Sequence, residues 1–401
     1  MEQEAGRTQQ GNTSTIWNHA FVVLLFANLF QSMASFIAIA TVPLFAADLG
    51  ASNSMVGVLV GAFAATALGI RPFSGPAFQS FSKKWLLVGA LGIICASLVL
   101  YGVVDSLQQM FFVRLLHGIG IGCAGPLSMS LVADHLPNEH FASGISIYTV
   151  AQALSQAVGP AVGLGLMNAV GFHMTYWIAA VPMAVSIVAV MTLPEKQRPR
   201  QPYKLQLGRM FAREAVDAAV VLMLLSAAFS CVGSYIVLYG TKLGVDSIGW
   251  YFTVYALCLL ATRPFFGRLA DQFGAARVLV PGVICFALSF VLLSFAHDLT
   301  GFIIVAVVAS CGFGACTPLV QSLALQSVGP ERRGVASNTS FTGLDLGNLV
   351  GPTIGGLVIE ALQPTLGSEI AAYSGMWIVM LVPIGLGLLV ILRWNRHRPQ
   401  D

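Results

Sequence analysis

Two copies of one short motif lie 192 residues apart, as Arg71-Pro72-Phe73-Ser74-Gly75 and as Arg263-Pro264-Phe265-Phe266-Gly267. The pair Gly159-Pro160 recurs at the same offset as Gly351-Pro352, and Pro126 also has a counterpart there. Landmarks that share one offset within 401 residues indicate a duplicated half. The sequence therefore predicts two related structural units in tandem.

The composition points to a lipid environment. Hydrophobic residues make up 56% of the chain and charged residues 9%, where soluble domains carry about 25% charge. A soluble protein of this size could not keep so apolar a surface in water. A bilayer crossing needs about 20 apolar residues. We count twelve such spans, at 18–46, 53–78, 84–104, 109–133, 141–168, 172–193, 214–240, 247–270, 277–297, 300–326, 334–361 and 370–393.

We expect an all-α membrane protein with 12 transmembrane helices in two pseudo-symmetric six-helix bundles. One long polar segment, rich in Pro, Lys, Arg and Gln, divides six spans from six. The expected units are an N-terminal tail (1–16), a first bundle (17–194), a linker loop (195–213), a second bundle (214–393) and a C-terminal tail (394–401).

The distribution of Lys and Arg predicts the orientation. These residues gather on the side shared by both termini, in runs such as 83–84, 196–213 and 393–398. The positive-inside rule then places both termini in the cytoplasm of a multi-pass protein of the bacterial inner (plasma) membrane. Since the basic runs orient the chain in lipid, we expect no nucleic-acid partner. The polar tail has one basic residue, Arg7, and the first span shows no small-residue cleavage signature, so we expect no signal peptide.

One segment carries a family resemblance. Gly267-Arg-Leu-Ala-Asp271-Gln-Phe-Gly274-Ala-Ala-Arg277 resembles the loop motif of the major facilitator superfamily, in which the acid latches onto a helix of the opposite half. Gly267 would permit close helix contact and Gly274 a chain turn. The first half departs from the pattern. Gly75 is retained, Gln79 replaces the acid, and Asp134 takes the place of Gln326.

A second motif concerns proton transfer. Arg114-Leu-Leu-His117-Gly118 resembles the superfamily's membrane arginine motif, which implies that Arg114 takes part in proton coupling. His117 lies one turn further along and could share its face as a relay. The alternatives are an arginine that reaches the outer interface and a histidine that packs as an ordinary polar residue.

The Gly-Pro pairs form a third motif. Gly351-Pro352, preceded by Gly347, is similar to the complete antiporter motif of the superfamily, whereas Gly159-Pro160 is a slightly eroded copy. A proline inside a helix removes a backbone hydrogen bond and bends it. These positions therefore indicate tight packing with fixed bends, hinges for alternating access, or both.

Asp345 is the candidate for coupling chemistry. It lies about twelve residues into its predicted span, and hence near mid-bilayer at about 1.5 Å per residue. A carboxylate there is costly unless it is paired, protonated or hydrated. We expect a proton-coupling residue or a ligand for a cationic substrate. The alternative is a satisfied polar contact with Asn348 or another helix.

Other polar and aromatic residues within spans are weaker candidates for a substrate cavity, since each also suits helix packing. They are Asn28, Gln31, Gln152, Gln156, Tyr235, Tyr239, Tyr255 and Asn348. Arg71 and Arg263 lie near the predicted cytoplasmic ends of their helices. We expect them to reach the lipid headgroups, or to pair with Asp134 or its counterpart region, without a substrate role.

The resemblance covers the whole chain and implies a monomeric secondary transporter. The leading expectation is export of a small, moderately apolar or cationic drug or metabolite by proton antiport. The alternatives are a proton-coupled nutrient importer, an exporter of a sugar or opine-type metallophore, and a membrane sensor that moves nothing. No phosphate-binding GxxxxGK[ST] motif and no metal-ligand spacing occur, so we expect no enzyme, cofactor or metal.

Overall fold

The computed structural model describes residues 17–136, 141–195, 211–245, 247–329 and 333–396, with the backbone alone at scattered positions. These ranges contain a 3-10 turn at Arg213–Ala215 and twelve α-helices. The helices are α1 (His19–Asp48), α2 (Asn53–Ser80), α3 (Lys83–Tyr101), α4 (Leu107–His135), α5 (Phe141–Met191), α6 (Val216–Lys242), α7 (Trp250–Phe273), α8 (Ala275–Phe295), α9 (Leu299–Gln326), α10 (Arg333–Leu366), α11 (Glu369–Val379) and α12 (Leu381–Arg396).

Several helix starts follow directly from the local sequence. A Ser, Asn or Asp side chain accepts a hydrogen bond from the backbone N–H three residues on, which satisfies one otherwise unpaired donor. The N-cap residues that do this are Asn18, Ser52, Ser106, Asp298 and Ser368.

The described helices confirm the predicted all-helical membrane fold. Ten stretches are long and apolar enough to cross a membrane, and α7 contains a shorter apolar stretch, Trp250–Thr262. The 51-residue α5 supplies two crossings, because the backbone at Gly171 (φ 79°, ψ 174°) divides it into two arms. The last predicted span is broken at Met380 into α11 and α12. Counted this way, the described residues supply helical segments for all 12 predicted crossings.

The sequence repeat is visible in the helix boundaries. Adding 192 to the limits of α3 and α4 gives 275–293 and 299–327, within two residues of α8 and α9. The same shift relates α2 to α7 and the first arm of α5 to α10. The expected tails and most of the linker lie outside the described residues, so the exact domain limits stay predictions.

Contacts between the halves come from a few helices. The most extensive are made by α2 with α10, by α5 with α7, by α1 with α6 and by α2 with α6. Several of these contacts lie toward the ends of the helices far from the chain termini. For example, a Cβ added to Gly233 of α6 would lie 3.7 Å from Ile39 of α1. We call this region the far end, and the opposite region the termini end.

Candidate functional site

Two equivalent interfaces join the halves: α2 packs on α10, and α7 packs on the first arm of α5. The α2–α10 interface is tight at the far end because it is built on glycine. A Cβ on Gly61 would lie 2.5 Å from the carbonyl oxygen of Leu349. A Cβ on Gly57 would lie 2.6 Å from the carbonyl carbon of Pro352. Small residues allow helices in lipid to approach this closely.

Hydrogen bonds complete the far end of the α2–α10 interface. The Tyr235 hydroxyl lies 2.6 Å from the carbonyl oxygen of Pro352 and 2.9 Å from that of Asn53, so it is shared by both halves. The backbone N–H of Ser54 donates to Glu360 Oε1 at 2.9 Å. Glu360 thus places a carboxylate at the N-terminus of a helix in the other half, where the helix dipole stabilises an anion.

The α2–α10 interface also contains an ion pair, formed by Arg71 Nε and Asp345 Oδ2. It is the ion pair that joins the two halves among the described residues. The Arg71 guanidinium also lies 5.3 Å from the ring centroid of Phe341. The side chains of Arg71 and Asp345 remain 18% and 11% exposed, so the pair is largely but not completely enclosed.

This pair corrects the expectation for Arg71. The residue pairs not with Asp134 but with Asp345 of the other half. Asp134 instead accepts from Lys83 Nζ at 2.9 Å within the first half. Lys83 also donates to Ser130 Oγ at 2.6 Å. An arginine of the first half and an acid of the second, predicted separately, therefore belong to one site.

The residues of the loop motif are described only in part. At Gly274 the backbone φ is 85°, a conformation that glycine adopts without strain, and the chain turns there between α7 and α8. The structure describes Gly75, Gln79, Gly267 and Asp271 by their helical backbone alone, so the side chains of Gln79 and Asp271 are outside the description. A latch through Asp271 therefore stays a prediction.

Arg114 and His117 are buried in the first half. Arg114 is 3% exposed and donates from Nε to Leu59 O at 3.1 Å and from Nη2 to Val60 O at 3.0 Å. It therefore ties α4 to α2 and does not reach the outer interface. The His117 ring lies edge-on to Tyr101 with centroids 5.9 Å apart. Neither ring nitrogen has a hydrogen-bond partner among the described residues.

The predicted cavity residues separate into two groups. The first group is buried. Asn28 Nδ2 donates to Tyr148 O at 3.1 Å, joining α1 to α5, and Gln31 is buried beside it on α1. Tyr235 and Tyr239 are fully buried, and Tyr255 is 3% exposed. None of these tyrosine rings presents an open aromatic face in this structure.

The second group keeps exposed surface on helices that form the interfaces. Gln152 on α5 is exposed, whereas Gln156 on the same helix and Asn348 on α10 are half-buried. Asn348 follows Asp345 by one turn of the helix. These three residues are therefore better placed for a substrate than the enclosed group, and their role stays a prediction.

The Gly-Pro motifs contribute packing within each half. A Cβ on Gly159 would lie 2.8 Å from Phe36 Cβ of α1. A Cβ on Gly351 would lie 2.8 Å from the carbonyl carbon of Ala227 in α6. Pro160 and Pro352 lie inside α5 and α10. The packing explains the small residues, and the hinge function stays a prediction.

Two residues of the α2–α10 interface were missed as site residues, Arg71 and Glu360. Both appear solitary in the sequence, since their partners are far away along the chain. A comparison of the two repeats could have identified Glu360. The residues that lie 192 positions before Asp345 and Glu360 are the uncharged Ala153 and Asn168. Two acids present in only one of the repeats mark the α2–α10 interface as the specialised one.

Known proteins resemble this chain along most of its length. The staphylopine export protein of Staphylococcus aureus is 26% identical over 257 residues, 61% of this chain and 64% of that protein. The quinolone resistance protein NorA of the same species is 22% identical over 398 residues, 94% of this chain and 97% of that protein.

A solved structure shows the same fold. A mutant of the nucleoside transporter NupG superposes with a TM-score of 0.79 at 16% identity, covering 93% of this chain and 99% of that one. The family named Major Facilitator Superfamily matches residues 24–247 and 218–401, and so both halves. With its helical architecture, repeat and relatives in agreement, the chain belongs to the Major Facilitator Superfamily, as a multi-pass membrane transporter and not an enzyme.

Proposed function

We propose that this chain exports a small, moderately apolar or cationic molecule in exchange for protons, by alternating access between the two halves. The observation that supports this most strongly is the Arg71–Asp345 pair, with one charge from each half. A proton on Asp345 would cancel the attraction that links the halves, and so would a cation that took the place of Arg71. Proton and substrate would then compete for one carboxylate.

The arrangement of the interfaces supports a definite conformational state. The glycine contacts and the Tyr235 hydrogen bonds close the far end. If both termini lie in the cytoplasm, as the charge distribution predicts, the closed far end is the outer side of the transporter. Transport then requires the far end to separate, and the energy for this step would come from the exchange at Asp345.

The relatives support the direction of transport. One is named as an export protein and another as a drug resistance protein. We assign proton coupling to Asp345, with Arg114 and His117 as candidate participants within the first half, and place the chain in the bacterial inner membrane as a monomer. Gln152, Gln156 and Asn348 are the polar side chains proposed to contact substrate.

The test uses purified protein in liposomes that contain a pH-sensitive dye. A proton gradient is imposed and a panel of cationic drugs and metabolites is added. We expect substrate-dependent proton movement in the wild type, its loss in Asp345→Asn, and its retention in Asp105→Asn, which neutralises an exposed acid. Substrate flux without proton movement would contradict antiport, and full coupling in Asp345→Asn would remove Asp345 from the mechanism.

A further inference from the structure

The charges of the Arg71–Asp345 pair restrict what can bind between the halves. The following inference rests on the proposed transport function and narrows its substrate. The two charges come from different helices, α2 and α10, and both side chains retain some exposure. Each side chain can therefore be contacted without complete burial of the pair having to be undone.

The helix geometry favours insertion at this point. From Gly61 to Arg71, α2 advances by about 15 Å, whereas from Leu349 to Asp345, α10 advances by only about 6 Å. The long Arg71 side chain covers this difference, since side chains on a helix lean toward its N-terminus and α2 begins at the far end. The two helices are thus in backbone contact at Gly61 and are linked through long side chains at the ion pair.

A ligand with a single charge is poorly matched to such a pair. A monocation bound to Asp345 takes the carboxylate away from Arg71, and a monoanion bound to Arg71 leaves Asp345 without its counterion. An enclosed charge that loses its counterion is strongly destabilised. A ligand that carries both charges replaces each partner, because its cation meets Asp345 and its carboxylate meets Arg71.

We infer that the substrate is a small zwitterion, with a cationic amine and a carboxylate, which inserts between Arg71 and Asp345. The guanidinium is the group suited to a carboxylate, because its planar fork can donate two parallel hydrogen bonds. Phe341, 37% exposed beneath the guanidinium, provides an apolar surface for the body of the molecule.

A matched set of probes tests this inference directly. Phenylalanine is a zwitterion, its methyl ester a cation, N-acetylphenylalanine an anion and N-acetylphenylalanine amide neutral. A second set built on the dipeptide of phenylalanine separates the charges more widely. Binding of each probe to the detergent-purified full chain is measured by calorimetry and by protection against thermal unfolding.

We expect the zwitterion of at least one set to bind about tenfold or more tightly than its singly charged and neutral analogues, a difference of about 1.4 kcal/mol. Arg71→Gln should shift the preference toward the cation, and Asp345→Asn toward the anion. Lys242→Gln removes the cation of an exposed pair within the second half and should leave the preference unchanged.

Cation or anion binding as tight as that of the zwitterion would overturn the inference, as would failure of both zwitterions to bind. The exchanged variant Arg71→Asp with Asp345→Arg retains one charge of each sign and controls for folding. Selective zwitterion binding without proton-coupled flux in liposomes would leave this site intact and refute antiport. Proton-coupled flux of the cation alone would support antiport and refute the zwitterion site.

Discussion

The α2–α10 and α5–α7 interfaces occupy equivalent positions and differ in their chemistry. The α2–α10 interface contains Asp345 in an ion pair across the halves and Glu360 at the N-terminus of α2. The residues at the same offset on α5 are Ala153 and Asn168. The two copies of the repeat thus share one helix arrangement, and acids occur at these positions in only one copy.

The two interfaces also differ in how closely their helix backbones approach. Gly61 of α2 lies against the carbonyl of Leu349, whereas at the equivalent place Thr253 donates to Ala157 O at 2.6 Å. The α2–α10 interface therefore depends on close backbone approach and on charges, and the α5–α7 interface on a neutral hydrogen bond. A proton can change the charge of the α2–α10 interface at Asp345, and we therefore propose that coupling occurs at this interface.

The largest effect on stability is expected from a side chain at the glycine contact. Gly57→Val would push α2 away from Pro352 and should cost about 1–3 kcal/mol through overpacking. Gly249→Val is the matched control at the equivalent position, where the nearest atom to an added Cβ is Ala161 Cα at 3.3 Å. Thermal unfolding in detergent should show the larger loss for Gly57→Val. Equal losses would mean that the two interfaces are equally tight.

A smaller effect is expected at the hydrogen bond of the α5–α7 interface. Thr253→Val keeps the shape of the side chain and removes its donor to Ala157 O. Stability should fall by about 0.5–1.5 kcal/mol, while the amount of proton moved per substrate stays at the wild-type value. A change in that ratio in the liposome assay would show that coupling also involves the neutral interface.

The smallest effect is expected at the helix N-terminus. Glu360→Gln removes an anion from the start of α2 and should cost about 0.3–1 kcal/mol, with a difference from wild type that shrinks as salt rises. Asn168→Glu would place an acid at the equivalent position of the other half and serves for comparison. A Glu360→Gln effect independent of salt would rule out a dipole interaction.

The fold was predictable because the repeat and the apolar spans are local sequence patterns. The helix limits were not, since the merging of two spans across Gly171 and the break at Met380 depend on packing. Asp345 was identified because an acid in a span is conspicuous. Its partner Arg71 was not, because the pairing joins residues 274 apart across two helices.

The buried tyrosines also show that the partners of a side chain depend on tertiary packing. Tyr235 was predicted in a cavity because a tyrosine in a span suits a binding surface as well as a packed core. In this structure its ring is buried and its hydroxyl bonds backbone carbonyls of both halves. Hydropathy places such a residue in the membrane, and only the tertiary arrangement shows which way its ring faces.

We propose that Arg71 and Asp345 act as one unit that couples protons to movement of the halves. The most direct measurement is a double-mutant cycle of proton-coupled flux in liposomes, with Arg71→Gln, Asp345→Asn and both together. Each single variant should lose about tenfold or more, and the double variant should lose no more than the worse single variant, because the interaction is already gone. Losses that multiply in the double variant would show that the two residues act independently and would contradict their coupling as one unit.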